Sequence, residues 1–212
     1  MKRFFTFICM FFTLAKISAQ GFNGSIEFKY ATLKDTTNNV YIVKNKLVKL
    51  DQFSKKSTTI EGSFIFDLAA GKIRFVNPKR KIWGEHRSET ASVVRGQCEV
   101  SKGSGTKSVA GVKCHEYTVK NTEENTSITY WVAESNFDFF IPLIKLWNRK
   151  DKQSIYFNLI KDLPAGSMPL LSEEKQLSDG KMVTRLEVTK ISNKMPDDAS
   201  LDVPAGYTKF DQ

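Results

Sequence analysis

The chain is poor in the side chains that most often do chemistry, with only two histidines, His86 and His115, and three cysteines among its 212 residues. An enzyme needs a cluster of groups with tuned pKa values, and neither histidine stands in a recognisable setting. His115 follows Cys114 directly, so on a strand the two point to opposite faces, which argues against a shared metal site. No His-Glu-x-x-His, Gly-x-Ser-x-Gly or Cys-x-x-Cys pattern occurs. The stretch Lys102 to Ser108 has the composition of a phosphate loop without its spacing. Thr106 stands where a glycine must precede the lysine, and Val109-Ala110-Gly111 leads into a strand instead of a helix, so a hairpin turn is expected there. The carboxylate pairs Glu123-Glu124, Glu173-Glu174 and Asp197-Asp198 sit in polar stretches and need only solvation. The expectation is no enzyme, no cofactor and no metal, with an envelope hydrolase as a remote alternative.

A run long enough to cross a bilayer is also missing. The longest apolar stretch, Phe4 to Leu14, has eleven residues, against the ~20 a transmembrane helix needs. Lys2 and Arg3 precede it, and Ile17-Ser18-Ala19 ends it before Gln20, the layout of a secretory signal peptide. Residues 1–19 are therefore expected to be removed between Ala19 and Gln20, taking Cys9 with them. No transmembrane anchor is expected, and the destination is the periplasm, the outer envelope or the exterior. The remaining 193 residues suit one domain, 20–212, burying roughly 70% of the unfolded chain's surface.

Charge of either sign is not segregated. Without Lys2, Arg3 and Lys16 there are 29 basic against 23 acidic side chains, a net +6. The only short basic clusters are Lys55-Lys56 and Lys79-Arg80-Lys81. That distribution fits solubility or attraction to an anionic surface and argues against nucleic acid as a partner.

What the chain does have is alternation. Ile26, Phe28 and Tyr30 oppose Ser25, Glu27 and Lys29, and the same period recurs at Phe64-Phe66-Leu68, at Ile128-Tyr130-Val132 and at Leu186-Val188 against Arg185, Glu187 and Thr189. One face is dry and the other wet. Turn residues separate the runs at Asp35 to Asn39, Gly71-Lys72, Asn77-Pro78, Lys102 to Gly105, Asn121 to Asn125 and Asp179-Gly180. Roughly nine to eleven antiparallel strands are implied.

From about 136 to 163 the period changes. The run from Asn136 to Trp147 is apolar nearly all round, and Ile155, Leu159 and Leu163 follow at four-residue spacing. Pro142 fits the first turn of a helix, so helices are expected from about Pro142 to Asn148 and from about Asp151 to Asp162. The fold class is mainly β (α+β): an open, curved antiparallel half-barrel capped by short helices. On its concave face Phe28, Phe66, Tyr130 and Leu186 are expected together, under the segment from Phe137 to Trp147. Glu27, Asp67, Trp131 and Glu187 belong to the other face, where Trp131 needs cover from a loop or from the chain's end near Tyr207.

Cys98 and Cys114 remain after export, in a compartment that permits disulfides. A bridge would close a seventeen-residue loop, worth about 3 kcal/mol in the chain-entropy picture. Two buried thiols are the other reading, and both stay open.

Several segments resemble a known family. These are Ile65-Phe66-Asp67-Leu68, Lys81-Ile82-Trp83, Val109 to Tyr117, Tyr130-Trp131-Val132, Met168-Pro169-Leu170, Leu186 to Ile191 and Val203 to Tyr207. In order and spacing they are similar to the exported Bacteroidetes "domain of unknown function 4412", grouped with the LolA-like lipoprotein carriers. The resemblance implies a LolA-like half-barrel with an apolar cavity, which in those carriers holds acyl chains. It supplies no catalytic motif.

The apolar residues of the insert exceed what one short helix hides against a sheet. Phe137, Phe139, Phe140, Leu143, Ile144, Leu146 and Trp147 are accordingly the candidate ligand-binding residues. The expected function is a non-catalytic binding protein, a carrier or sensor of an apolar ligand or lipoprotein acyl chain. The alternative is an envelope module that holds a protein partner along a sheet edge.

Overall fold

In the computed structural model, residues 21–54, 58–88, 93–134 and 136–210 are described. The expected signal peptide, its expected cleavage site at Ala19 and Gln20, and Lys55-Lys56 lie outside the described residues.

Alternating runs become strands wherever an apolar face finds cover. β1 (Gly24–Thr32), β2 (Thr36–Lys44), β3 (Leu47–Phe53), β4 (Ile60–Asp67), β5 (Lys72–Asn77) and β6 (Ile82–His86) form one wing. The other is β7 (Glu99–Val109), β8 (Val112–Asn121), β9 (Thr126–Ala133), β10 (Met168–Gln176) and β11 (Met182–Ser192). Pairing of β1 with β11 joins the wings into one sheet, in the order β12-β6-β5-β4-β3-β2-β1-β11-β10-β9-β8-β7. All pairs are antiparallel except the last strand, β12 (Thr208–Lys209), which lies parallel to β6. Register shifts at Glu27/Phe28, Gln52/Phe53, Pro169/Leu171 and Glu174/Lys175 mark bulges, which bend strands and raise their twist. The sheet curls around the insert.

That insert forms α1 (Phe140–Trp147) and α2 (Lys152–Phe157). Pro142 falls in the first turn of α1, where its missing N–H costs nothing. Asn148, left-handed at φ 49°, ends the helix and donates its backbone N–H to the Ile144 carbonyl. Asp151 caps α2 by accepting the Ser154 N–H at 2.9 Å. α2 is shorter than the apolar spacing suggests, because Leu159 and Ile160 take i→i−3 bonds to Tyr156 and Phe157 that tighten the chain out of the helix. On the concave side Phe28 stacks on Tyr41, Phe66 meets Trp147 at 5.0 Å between ring centres, and Tyr130 meets Phe157 at 5.4 Å.

Two turn assignments change. β2 already begins at Thr36, since Asp35 Oδ1 accepts the Thr36 N–H and Asn38 and Asn39 pair with Lys29 and Phe28. Lys102 to Ser108 is not a turn but the middle of β7, where three residues, Gly103 to Gly105, oppose the single residue Glu116. The Glu116 carboxylate packs closely here, 2.7 Å from where a Cβ would stand at either Gly103 or Gly105, so a larger residue would have to displace that side chain. The hairpin turns at Ala110 and Gly111, both at positive φ, as a two-residue turn between such strands requires.

The same register decides the cysteines. Cys114 faces Lys107, whereas Cys98 lies past the Glu99–Lys120 pair, where the Asn121 amide donates to its sulfur at 3.3 Å. Seven residues of β8 separate the two positions, about 23 Å at a strand's rise, far beyond the ~7 Å between Cα atoms that a disulfide tolerates. Both are free thiols. Cys114 is fully buried and burial pushes its thiol up to about 11. Thiol titration of the mature protein is expected to count two groups after denaturation, with Cys98 alone reacting rapidly before it. Two thiols that titrate only after reduction would contradict this.

The convex face is not uniformly wet. Trp131 is covered there by β7: its ring lies against Gly105, and the Lys107 ammonium sits 5.1 Å from its centre. Tyr207 is not the cover, because the chain's end runs to the other wing beside Lys81 and Trp83. There a 3-10 turn (Asp198–Leu201) packs on β2 and β3, fastened by Lys44–Asp198 at 2.7 Å and Arg74–Asp202 at 2.8 Å. Leu201, Ile65 and Val76 are buried beneath it, apart from the main core.

A cavity under the helical insert

Between α1, α2 and the concave faces of β1, β2, β3, β9, β10 and β11 lies a cavity of about 300 Å³. Its apolar wall is Phe28, Tyr41, Leu50, Phe140, Ile144, Trp147, Phe157 and Leu186. Alternation places the strand residues there, and the helical repeat places Phe140, Ile144 and Trp147 on one face of α1.

The opposite wall is polar and locked. Gln153, on α2, donates its amide to Thr184 Oγ1 at 2.7 Å, and its amide oxygen accepts from Ser172. Its backbone carbonyl accepts from the Tyr130 hydroxyl at 2.8 Å. Asn39 is buried on the floor, its amide donating to Thr37. Arg149 and Asp151 stand on the connection between the helices. The left-handed Asn148 turns the chain back so that the Arg149 guanidinium lies 4.6 Å from the centre of the Trp147 ring. Arg149 Nε forms an ion pair with Asp151 Oδ2 at 3.4 Å, but this buried oxygen accepts no hydrogen bond among the described residues. Burial raises the Tyr41 phenol well above its ordinary value, with Arg149 pulling it down and Asp151 pushing it up. Both charged side chains line the cavity, Arg149 45% and Asp151 21% exposed.

Of the residues singled out from the sequence, Phe140, Ile144 and Trp147 line the cavity. Phe137 and Phe139 instead pack on Phe22, at 5.4 and 6.1 Å, and Leu143 is fully buried in the core. Leu146 is partly buried at the edge, where its carbonyl accepts from Ser88 Oγ at 2.6 Å. His86 and His115 lie on opposite wings, on β6 and β8. Among the described residues no three His, Cys, Asp or Glu side chains stand close enough to hold a metal ion.

The outer end of α2 is tied down by charge. Glu124, in the β8–β9 turn, accepts the Tyr156 hydroxyl at 2.6 Å and the Arg95 N–H at 3.0 Å, with Lys152 Nζ at 3.3 Å. These donors hold its carboxyl below the ordinary value of 4.5. A depressed carboxylate stabilises the fold above its unfolded pKa and loses that contribution as pH falls through the folded one. The urea midpoint is therefore expected to drop as pH falls below about 4.5, and Glu124→Gln to flatten that slope. Glu134 and Asp202, also depressed, should preserve part of it. A slope unchanged in Glu124→Gln would contradict the assignment.

The model of one protein family, the domain of unknown function 4412, matches residues 22–207. The chain belongs to that family. The match runs from Phe22, against the insert, to Tyr207, at the end of the convex strap, so it takes in the cavity and both its walls. No curated protein matches. Among solved structures, PNGF-II is 12% identical over 91% of this chain with a TM-score of 0.46, and MucB is 13% identical over 86% with a TM-score of 0.44. The LolA superfamily protein NE2245 from Nitrosomonas europaea is 9% identical over 88% of this chain and 91% of its own, with a TM-score of 0.36. The chain spans about a third of PNGF-II, 32% of its length, and 58% of MucB. Among the described residues no helix is long and apolar enough to cross a membrane.

The polar wall is what sequence reasoning missed. Asn39, Gln153 and Ser172 all stand in polar stretches, Thr36 to Asn39, Asp151 to Ser154 and Ser172 to Lys175, so no break in an apolar pattern marks them. Only the fold brings these polar side chains onto a dry face, where each needs a partner.

Proposed function

We propose that this protein is a non-catalytic binding protein that takes one apolar or lipid-like ligand under its helical insert. The observation that carries the reading is the cavity itself: about 300 Å³, walled by aromatic and aliphatic side chains with a few fixed polar groups at one side. Ligand sites have that size and composition. Export after cleavage between Ala19 and Gln20 belongs to the same reading, and an N-terminal sequence beginning at Gln20 on protein recovered outside the cytoplasm tests it. The rival envelope-partner role would use the open edge at β7, yet the bulge at Gly103 to Gly105 and the charges of Lys102 and Lys107 are devices that keep edges from pairing. Native mass spectrometry of gently extracted protein, followed by incubation with medium-chain amphiphiles, decides the main point. A stoichiometric adduct supports the cavity; a clean apo mass that takes up none of them refutes it.

A further inference from the structure

The cavity's size and its one unsatisfied oxygen restrict what it can hold. A dry cavity of ~150 Å³ takes one benzene ring, so about 300 Å³ accommodates about twelve carbons, a single medium-length chain. A second acyl chain would have to lie outside this space. At the polar end, Arg149 and Asp151 face the space together and carry no net charge as a pair. A ligand carboxylate brought to Arg149 meets the like charge of Asp151, which already pairs with Arg149 at 3.4 Å, and a ligand ammonium brought to Asp151 meets Arg149 in the same way. Asp151 Oδ1 is committed to capping α2, while the buried Oδ2 has the Arg149 ion pair at 3.4 Å but no hydrogen bond among the described residues. An unsatisfied buried carboxylate oxygen is costly, and a ligand that supplies the donor relieves that cost. The guanidinium, held over the Trp147 ring, has further N–H groups to give to an acceptor beside it.

We propose that the ligand is a single-chain amphiphile with an uncharged head in which a donor adjoins an acceptor, the amide being the simplest case. The donor goes to Asp151 Oδ2, the acceptor to Arg149, and the chain lies along Phe140, Ile144 and Trp147. This rests on the cavity being the binding site, and the test separates the two claims.

Displacement of a fluorescent apolar dye is measured with decanamide, decanoate and decylammonium, which share a chain and differ in head charge, each below its aggregation concentration. Decanamide is expected to bind at least ten-fold more tightly than either ion. Asp151→Asn retains a good helix cap and leaves the guanidinium without its counter-charge, so decanoate should become the preferred ligand. Arg149→Gln should move the preference to decylammonium. Dye binding with no head preference, or an order unchanged in both variants, overturns the head assignment and leaves the cavity reading standing. Failure of the dye and all three probes to bind overturns both.

Discussion

Trp147→Ala is expected to lower stability by about 3–5 kcal/mol, read as a lower urea midpoint with an unchanged slope, and to weaken ligand uptake as well. Both effects come from one ring. Its centre lies 5.2 Å from Phe64 and 5.0 Å from Phe66, joining α1 to β4, while its cavity side carries the Arg149 guanidinium. α1 is thus core along one stripe and lid along another, and single substitutions separate them. Leu143→Ala, from the fully buried stripe, should cost about 2–5 kcal/mol and leave the ranking of ligands unchanged. Phe140→Ala enlarges the cavity directly, so it should admit longer chains than the native protein does. If Leu143→Ala changed ligand preference while Trp147→Ala left both stability and uptake intact, the two stripes would have been assigned the wrong way round.

How far these features are legible in the sequence follows from the range of the forces behind them. Phe28, Phe66, Tyr130 and Leu186 are placed correctly because a strand's period of two is local, and α1 because a run without alternation, with proline near its start, has few alternatives. The Gly-rich run at Lys102 misleads for a physical reason: glycine serves turns and close approaches equally well, and here the close approach is to Glu116 from the neighbouring strand. The actual turn places Ala110 at φ 48°, a conformation that alanine does not advertise. The cysteines depend on hairpin register, which that same bulge shifts. Phe137, Phe139 and Leu143 are chemically indistinguishable from Phe140, Ile144 and Trp147 in the sequence, and only the direction of approach of the sheet sorts wall from core. Arg149 and Asp151 read as an ordinary polar connection until Asn148 turns them inward.

The convex face of β3 illustrates the longest-range effect and carries the second large prediction. Alternation alone assigns Lys49 and Asp51 to water, opposite Leu50. The chain's end, about 150 residues later, covers that face, leaving their side chains only 11% and 7% exposed. Beneath the strap, Lys49 Nζ lies 3.3 Å from Asp51 Oδ1, which also accepts the Ser63 hydroxyl at 2.6 Å. Taking one member from a buried pair strands the other's charge, at a cost of about 3–5 kcal/mol, whereas replacing both with apolar groups of similar volume is often neutral. Asp51→Ala is therefore expected to lower the folding free energy by about 3–5 kcal/mol in urea titration, and Lys49→Met combined with Asp51→Leu to recover most of that loss. An exposed pair is worth only about 0–1 kcal/mol. A loss of that smaller size in Asp51→Ala would mean that the strap does not seal the face in solution. A large loss that the double variant fails to recover would mean that Ser63, left without its acceptor, dominates the network.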